Sequence, residues 1–263
     1  MRNLSGGQTI LFPNCGRARL VLQLEYLLHM LPECYSTSFT GFPIKKGWSD
    51  FHYYEFVQHS DFGLCLFLDG VLQSAESDQR IYHQKLVRAA LEEHPNPSEV
   101  LIVGGAGGGV LHQLRSLIDF RRCKIVVVDI DEKLFDIARR TMRSWGDNEL
   151  DDPSVEIVFA NGRDYLQNVE RTFDMIILDV GDPLPHTRSN DMYSADVLRD
   201  LGHALRSGGV VSFHTAPEHT LDHIFVTESL HAKGLLRKMS HFLTDIPSFE
   251  RAWMFNTLKK QVL

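Results

Sequence analysis

Residues 100–111 read VLIVGGAGGGVL, and residues 127–131 read VVDID. An apolar run that passes straight into six small residues leaves little choice of fold. The run has no polar alternation, so it predicts a strand buried on both faces. The glycines after it permit a tight turn and let backbone approach a ligand closely, where a helix begins. A second apolar strand then ends on Asp129, placed to accept hydrogen bonds from a ribose diol, with Ile130 beside it. The pattern predicts the first half of a nucleotide-binding α/β unit, with Gly104, Gly105, Gly107 and Gly109 on the ligand side.

Further strands are expected at 155–159, 175–178 and 210–213, and helices at 109–119, 132–144, 162–170 and 194–206. Such alternation predicts a parallel sheet with helices on both faces, binding its ligand at the carboxyl ends of the strands. Upstream, residues 51–77 alternate and are rich in aromatic and β-branched residues, with turns at Ser60-Asp61 and Asp69-Gly70. They predict antiparallel strands. A helix at 80–93 follows, and HPNPSE at 94–99 ends it. The expected fold class is α/β: a Rossmann-like, parallel-core sheet preceded by a small N-terminal β-strand domain. The boundary falls between 1–95 and 96–263. Residues 20–31, LVLQLEYLLHML, have helical spacing and stop at Pro32, which suggests a docking or dimer helix.

The formal net charge is −7 and basic residues come only in short pairs such as Lys45-Lys46, so no nucleic-acid partner is expected. No apolar run reaches membrane-spanning length, so no membrane partner is expected either. Cys15, Cys34, Cys65 and Cys123 form no CxxC pair and suit a reducing compartment. The start lacks a secretory pattern. Arg2, Arg17 and Arg19 with no acid before Glu25 also fit an organellar presequence, but a cytoplasmic protein is the expectation taken. His219 and His223 have i, i+4 spacing, yet no cysteine or acid cluster completes a metal site, so no metal is expected.

A glycine loop followed by an acid serves NAD enzymes and S-adenosylmethionine (AdoMet) enzymes alike. Two features favour AdoMet. Asn161-Gly162 follows the third strand, where an amide can read an adenine edge. Residues 177–183, ILDVGDP, then place two carboxylates three residues apart. A sulfonium attacked by an amine needs such a pair. An alkyl ammonium has a pKa of about 10 and must lose a proton before it attacks. Asp179 can take that proton and Asp182 can hold the nitrogen in line. Read more plainly, the same two acids cap the following segment, with Pro183 fixing the turn.

With those residues in view, the chain resembles the spermidine synthase family, the polyamine aminopropyltransferases, from about Phe51 to Lys260. LFLDGVLQSAESDQRIYHQKL is similar to the family's LDGxxQxxxxDExxYHE, and HPNPSEVLIVGGAGGGVL to its HPxPxxVLIIGGGDGGxL. VVDID, ILDVGDP and DIPSFERAWMF are similar to its ExD, DSSDP and IPSFxxxWGF segments. The resemblance implies an N-terminal β-domain before a Rossmann-like AdoMet-binding domain, a homodimer, a small-molecule amine substrate, and decarboxylated AdoMet as cosubstrate. It further implies that Asp179 is the base, that Asp182 grips the attacking amine, and that Tyr82 lines the junction of the two substrate sites. Gln73 and His83 would lie near the sulfonium's side chain, Asp129 at the ribose, Asn161 at the adenine, and His214 and Trp253 on the acceptor side.

The departures matter as much. Gly107 replaces the acid that binds the ammonium of the transferred aminopropyl chain. Gln79 replaces a glutamate, His52 a glutamine, Val180 and Gly181 two serines, and His214-Thr215-Ala216 a Gln-x-Glu segment. The loop after Asp182 is longer and carries Arg188, a candidate clamp for an anionic substrate. A buried ammonium without its carboxylate costs several kcal/mol. Gly107 also removes a charge that would repel a carboxylate and frees room for one. The expectation drawn is that AdoMet itself is used, to transfer a methyl or aminocarboxypropyl group or to cyclise that chain. The alternatives are a true aminopropyltransferase using decarboxylated AdoMet and an inactive relative acting as a regulatory or scaffolding partner.

Overall fold

The computed structural model describes residues 41–146, 149–170, 172–182, 188–215 and 236–261. The expected helix at 20–31, Cys15, Cys34, Pro183, Ala216, His219, His223 and the Arg188 side chain lie outside the described residues.

A four-stranded antiparallel sheet in the order β1-β2-β3-β4 comes first: β1 (Gly41–Trp48), β2 (Tyr53–His59), β3 (Gly63–Leu68) and β4 (Val71–Ala75). The Asp69-Gly70 turn joins β3 to β4 with both residues at positive φ. Strand β1 was not expected. Its GFPIKKGW sequence carries Pro43, which only an edge strand tolerates, and β1 is an edge. Helix α1 (Gln79–Glu93) leads from this sheet into β5 (Glu99–Gly104).

The second sheet has seven strands in the order β10-β11-β9-β8-β5-β6-β7. Its parallel core is β5, β6 (Lys124–Asp129), β7 (Val155–Phe159), β8 (Phe173–Asp179) and β9 (Leu205–Thr215). The strands and turn glycines appear where the apolar pattern put them. Val100 and Ile102 pack on one face while Leu101 and Val103 pack on the other, which is why β5 has no polar alternation. Helices α2 (Gly109–Arg115), α3 (Glu132–Thr141), α4 (Arg143–Gly146), α5 (Gly162–Gln167) and α6 (Ala195–Ala204) follow the strands. Several end earlier than their apolar spacing suggested. Strands β10 (Leu236–Ile246) and β11 (Arg251–Lys260) were not anticipated, and β11 runs antiparallel to both β9 and β10.

The order of the strands reverses between β5 and β8, and that reversal opens a crevice at their carboxyl ends. The small sheet covers it. Tyr54, Phe56 and Leu66 share a buried cluster with Leu134, Ile137, Met142 and Trp145 from α3 and α4. Asp131 reinforces the contact, since its carboxylate caps α3 at Leu134 N (2.9 Å) and also accepts the Ser49 hydroxyl.

Candidate functional site

The crevice is a cleft of about 340 Å³ between the strand ends and β4. Gly104, Gly105, Gly107, Asp129, Ile130, Asn161, Gly162, Gln73, Tyr82, His83, Asp179, Asp182 and His214 all line it. Two expected residues do not. Gly109 sits under α1 rather than against the cleft, and a Cβ on it would overlap the His83 ring. Trp253 is buried behind the wall, edge-on to His214 at 5.8 Å and to Phe249 at 5.2 Å. Phe249, from the Pro247–Phe249 turn, lines the cleft in its place.

Backbone geometry presents the acids. Gly104 adopts φ 85°, and a Cβ on it would overlap the Asp179 carbonyl, so only glycine lets β5 and β8 close at this point. Asp129 Oδ1 accepts the Asp131 N–H at 2.9 Å. Burial pushes the Asp129 carboxyl up to about 6, with Asp131 and Asp179 adding to it against that hydrogen bond. A diol donating two hydrogen bonds would offset the lost water. Asn161 has a second task that its sequence position did not reveal, because its Oδ1 caps α5 at Arg163 N (2.9 Å). A carbonyl oxygen has two lone pairs, so one is left for an adenine amine.

At the other end, Asp179 Oδ2 lies 3.8 Å from His83 Nε2. Burial pulls His83 below its ordinary value against the nearby Asp179, and its Nδ1 lies 2.8 Å from Gln79 Oε1. The glutamine that replaced the family's glutamate therefore orients His83. The Tyr82 hydroxyl lies 2.6 Å from His214 Nδ1, and His214 Nε2 lies 3.1 Å from Asp182 Oδ1. Burial, then the nearby acids, pushes the phenols of Tyr82 and Tyr193 well above the ordinary range, so both are hydrogen-bond donors. Asp182 thus meets His214 at the edge of the cleft, while the segment it would cap lies outside the described residues.

The space expected at Gly107 is filled. A Cβ there would stand 2.8 Å from the Met142 methyl and 3.7 Å from the Trp145 ring. The loop acid has been replaced by an apolar wall, whose nearest atom is the flexible end of Met142. Met142 and Trp145 carried no signal in the sequence beyond an amphipathic helix, since their role depends on where α3 and α4 pack. Asp131, Asp191 and Arg163 also line the cleft unanticipated, as does His52, whose Nδ1–H donates to the Asp69 carboxylate at 2.7 Å.

Comparison with known proteins decides the family. The Spermine/spermidine synthase domain matches residues 79–262. The chain belongs to this family. Polyamine aminopropyltransferase 2 of Pseudomonas aeruginosa is 33% identical over 72% of this chain and 54% of its own length. The polyamine aminopropyltransferase of Sulfolobus acidocaldarius is 30% identical over 74% of this chain and 64% of its own. The chain thus spans between about half and two thirds of those relatives. Among solved structures, a spermidine synthase in complex with the transition-state analogue AdoDATO superposes with a TM-score of 0.75 at 25% identity, over 84% of this chain and 75% of the other. The fold is also that of spermidine synthase from Thermotoga maritima, with a TM-score of 0.69 over 84% of this chain and 73% of the other at 24% identity. The small antiparallel sheet ahead of a mostly parallel core is the spermidine synthase architecture. Among the described residues, no helix is long and apolar enough to cross a membrane, and no cluster of metal-ligating groups occurs.

Proposed function

We propose that the protein transfers an aminopropyl group from decarboxylated AdoMet to an amine nitrogen. The charge of the cleft carries this reading. Five aspartates (Asp129, Asp131, Asp179, Asp182 and Asp191) line it, against Arg163 as the one lysine or arginine among the described lining residues. A doubly cationic cosubstrate and an amine acceptor suit that field, whereas the carboxylate of AdoMet does not. The aminopropyltransferase relatives argue the same way. AdoMet itself, the reading that Gly107 suggested from sequence, has weaker support. The convergence of Asp129, Asp179, Asp182 and Tyr82 on one cleft favours an active enzyme over a scaffold.

In the reaction, Asp129 would hold the ribose, with Asn161 and Ile130 at the base and Gln73, His83 and the glycine loop around the sulfonium. Asp179 would accept a proton from the acceptor ammonium, while Tyr82 and Asp182 keep the nitrogen in line. The nitrogen lone pair forms a bond to the carbon beside sulfur. The carbon–sulfur bond breaks and its electrons neutralise the sulfonium. Methylthioadenosine and a longer amine leave.

Incubation with amines and each cosubstrate, read as methylthioadenosine release and product mass, tests the proposal. Release from decarboxylated AdoMet and none from AdoMet is expected. Asp179→Asn should lower kcat about 10²-fold or more. Product from AdoMet alone overturns the reading. Gly107→Asp, which displaces only a flexible methyl, should tighten decarboxylated AdoMet relative to AdoMet in calorimetric titration.

A further inference from the structure

His214 is an imidazole at the inner edge of the cleft, with a hydroxyl on one nitrogen and a carboxylate on the other. It is 3% exposed and lies near the end of β9. The Tyr82 hydroxyl is 2.6 Å from Nδ1, and Asp182 Oδ1 is 3.1 Å from Nε2. A carboxylate only accepts, so Nε2 carries the ring proton and Nδ1 keeps its lone pair. The protonated Tyr82 phenol donates to that lone pair. An orienting acid, an imidazole and a hydroxyl in line can pass a proton from the hydroxyl to the ring. The other rings on His214 are Tyr193, from the Arg188–Tyr193 turn, at 6.3 Å and Trp253, from β11, at 5.8 Å between centroids. Its cross-strand partner on β11 is Phe255. Among the described residues, the titratable groups around the ring are thus Tyr82, Tyr193 and Asp182, with Asp179 beyond the phenol.

Asp179 neighbours the same hydroxyl, acting on it by charge and by hydrogen bonding. With its one hydrogen on Nδ1, the phenol oxygen has lone pairs left to accept from Asp179 once that acid is protonated. The other imidazole near Asp179 serves less well. His83 Nε2 is 3.8 Å from Asp179 Oδ2, beyond hydrogen-bond reach, and burial holds its ring down. Behind it Gln79 is an amide, which takes no proton. Base strength gives the relay its value. Ordinary pKa values are about 10 for an alkyl ammonium, about 4 for a carboxyl and about 6.5 for an imidazole. A proton resting on imidazole rather than carboxylate leaves about 10²-fold more neutral amine.

We propose that His214 receives the acceptor's proton from Asp179 through the Tyr82 hydroxyl, with Asp182 orienting the ring. The inference rests on the aminopropyl-transfer reading, because it extends the path of the same proton. The Asp179 O–H breaks as an O–H forms at the Tyr82 oxygen, while the original Tyr82 O–H breaks and an N–H forms at Nδ1. Asp179 returns to the carboxylate, the phenol is regenerated, and the imidazolium pairs with Asp182. No phenolate forms, in keeping with the raised Tyr82 phenol. The same route run backwards discharges the proton once the products have left.

The test compares the wild type with His214→Gln, whose amide still hydrogen-bonds but takes no proton. Single-turnover release of methylthioadenosine from decarboxylated AdoMet is followed from about pH 5 to about pH 10, with the best acceptor among n-butylamine, 1,3-diaminopropane and 1,4-diaminobutane. The variant should be slower by about 10²-fold near neutral pH, with an unchanged half-saturating amine concentration. The deficit should close at low pH, where the imidazole already carries its proton, and narrow at high pH, where the amine arrives neutral. Added imidazole should accelerate His214→Ala and leave the wild type unchanged. That rescue carries the test if thermal melting shows that His214→Gln does not fold. A deficit that is absent or equal at every pH overturns the inference, and so does a folded His214→Ala that imidazole does not accelerate. If the wild type releases no methylthioadenosine with any amine, the transfer reading fails and the relay with it; turnover with a flat deficit fails the relay alone.

Discussion

His83 and Gly109 show how one missing side chain fixes another. The His83 ring, held by Gln79 at 2.8 Å, stands where a Cβ of residue 109 would be. The glycine therefore serves the approach of α1 to α2, and through it the position of Tyr82 and His83 beside Asp179. Gly109→Ala should cost about 1–3 kcal/mol by overpacking. For a chain of this size that lowers Tm by several degrees, about 2–4 °C per kcal/mol. Thermal melting with a turnover assay checks it, and an unchanged Tm would mean that the ring moves freely. Gly107 follows the opposite logic. Its nearest neighbour is the flexible end of Met142, so a side chain there is tolerated and alters the ligand rather than the fold.

Between elements, carboxylates make the ties. Asp78 begins α1 but forms no side-chain cap there. It accepts the Ser248 N–H at 2.7 Å and hydroxyl at 3.0 Å, which anchors the turn carrying Phe249 to the cleft. Asp174 does the same at the far end of the sheet, joining β8 to the start of β5 and to β9. It accepts from the Ser98 N–H at 2.7 Å, the Ser98 hydroxyl at 2.6 Å, the Glu99 N–H at 3.0 Å and Arg206 at 3.1 Å. Burial raises its pKa, but these donors outweigh burial and hold it at about 2. A carboxyl depressed in the folded state adds stability that is full above its unfolded pKa of about 4 and is lost as pH falls toward 2. Asp174→Asn should therefore cost about 2 kcal/mol at pH 7 in denaturant unfolding, and the deficit should shrink between pH 4 and 2. A pH-independent deficit would assign the loss to packing alone.

At the scale of the molecule, the cleft exists because two sheets meet across α3 and α4. Asp129 lies at that junction with its carboxyl raised to about 6 by burial. For folding, a raised acid adds stability below its unfolded pKa and loses it as pH rises through about 6. Ligand binding has the opposite sign, since a ribose diol donates to the charged form. Methylthioadenosine should raise Tm most above pH 6, and its affinity should fall up to tenfold per unit below that. Ligand melting shifts at pH 7.5 and 5.0 check this, and equal shifts would remove the Asp129 carboxylate from the diol contact. At a concentration one hundred times its Kd the ligand adds about 2.7 kcal/mol.

The parallel strands β5, β6, β7 and β8 and the positions of Asp129, Asp179 and Asp182 at their ends were legible in the chain, because periodicity and turn chemistry reside in neighbouring residues. The antiparallel strands β10 and β11 were not, since their pairing depends on partners such as β9 rather than on a local signal. The same holds within the cleft. Asp179 could be placed from ILDVGDP, but His214 meets Tyr82 across 132 positions and Asp182 across 32. The filling beside Gly107 comes from Met142 and Trp145, which reach it only once α3 has packed under the small sheet. Local order along the chain chose the elements and their acids. The packing of distant segments decided which nitrogens are engaged, which space is filled, and so what the cleft can hold.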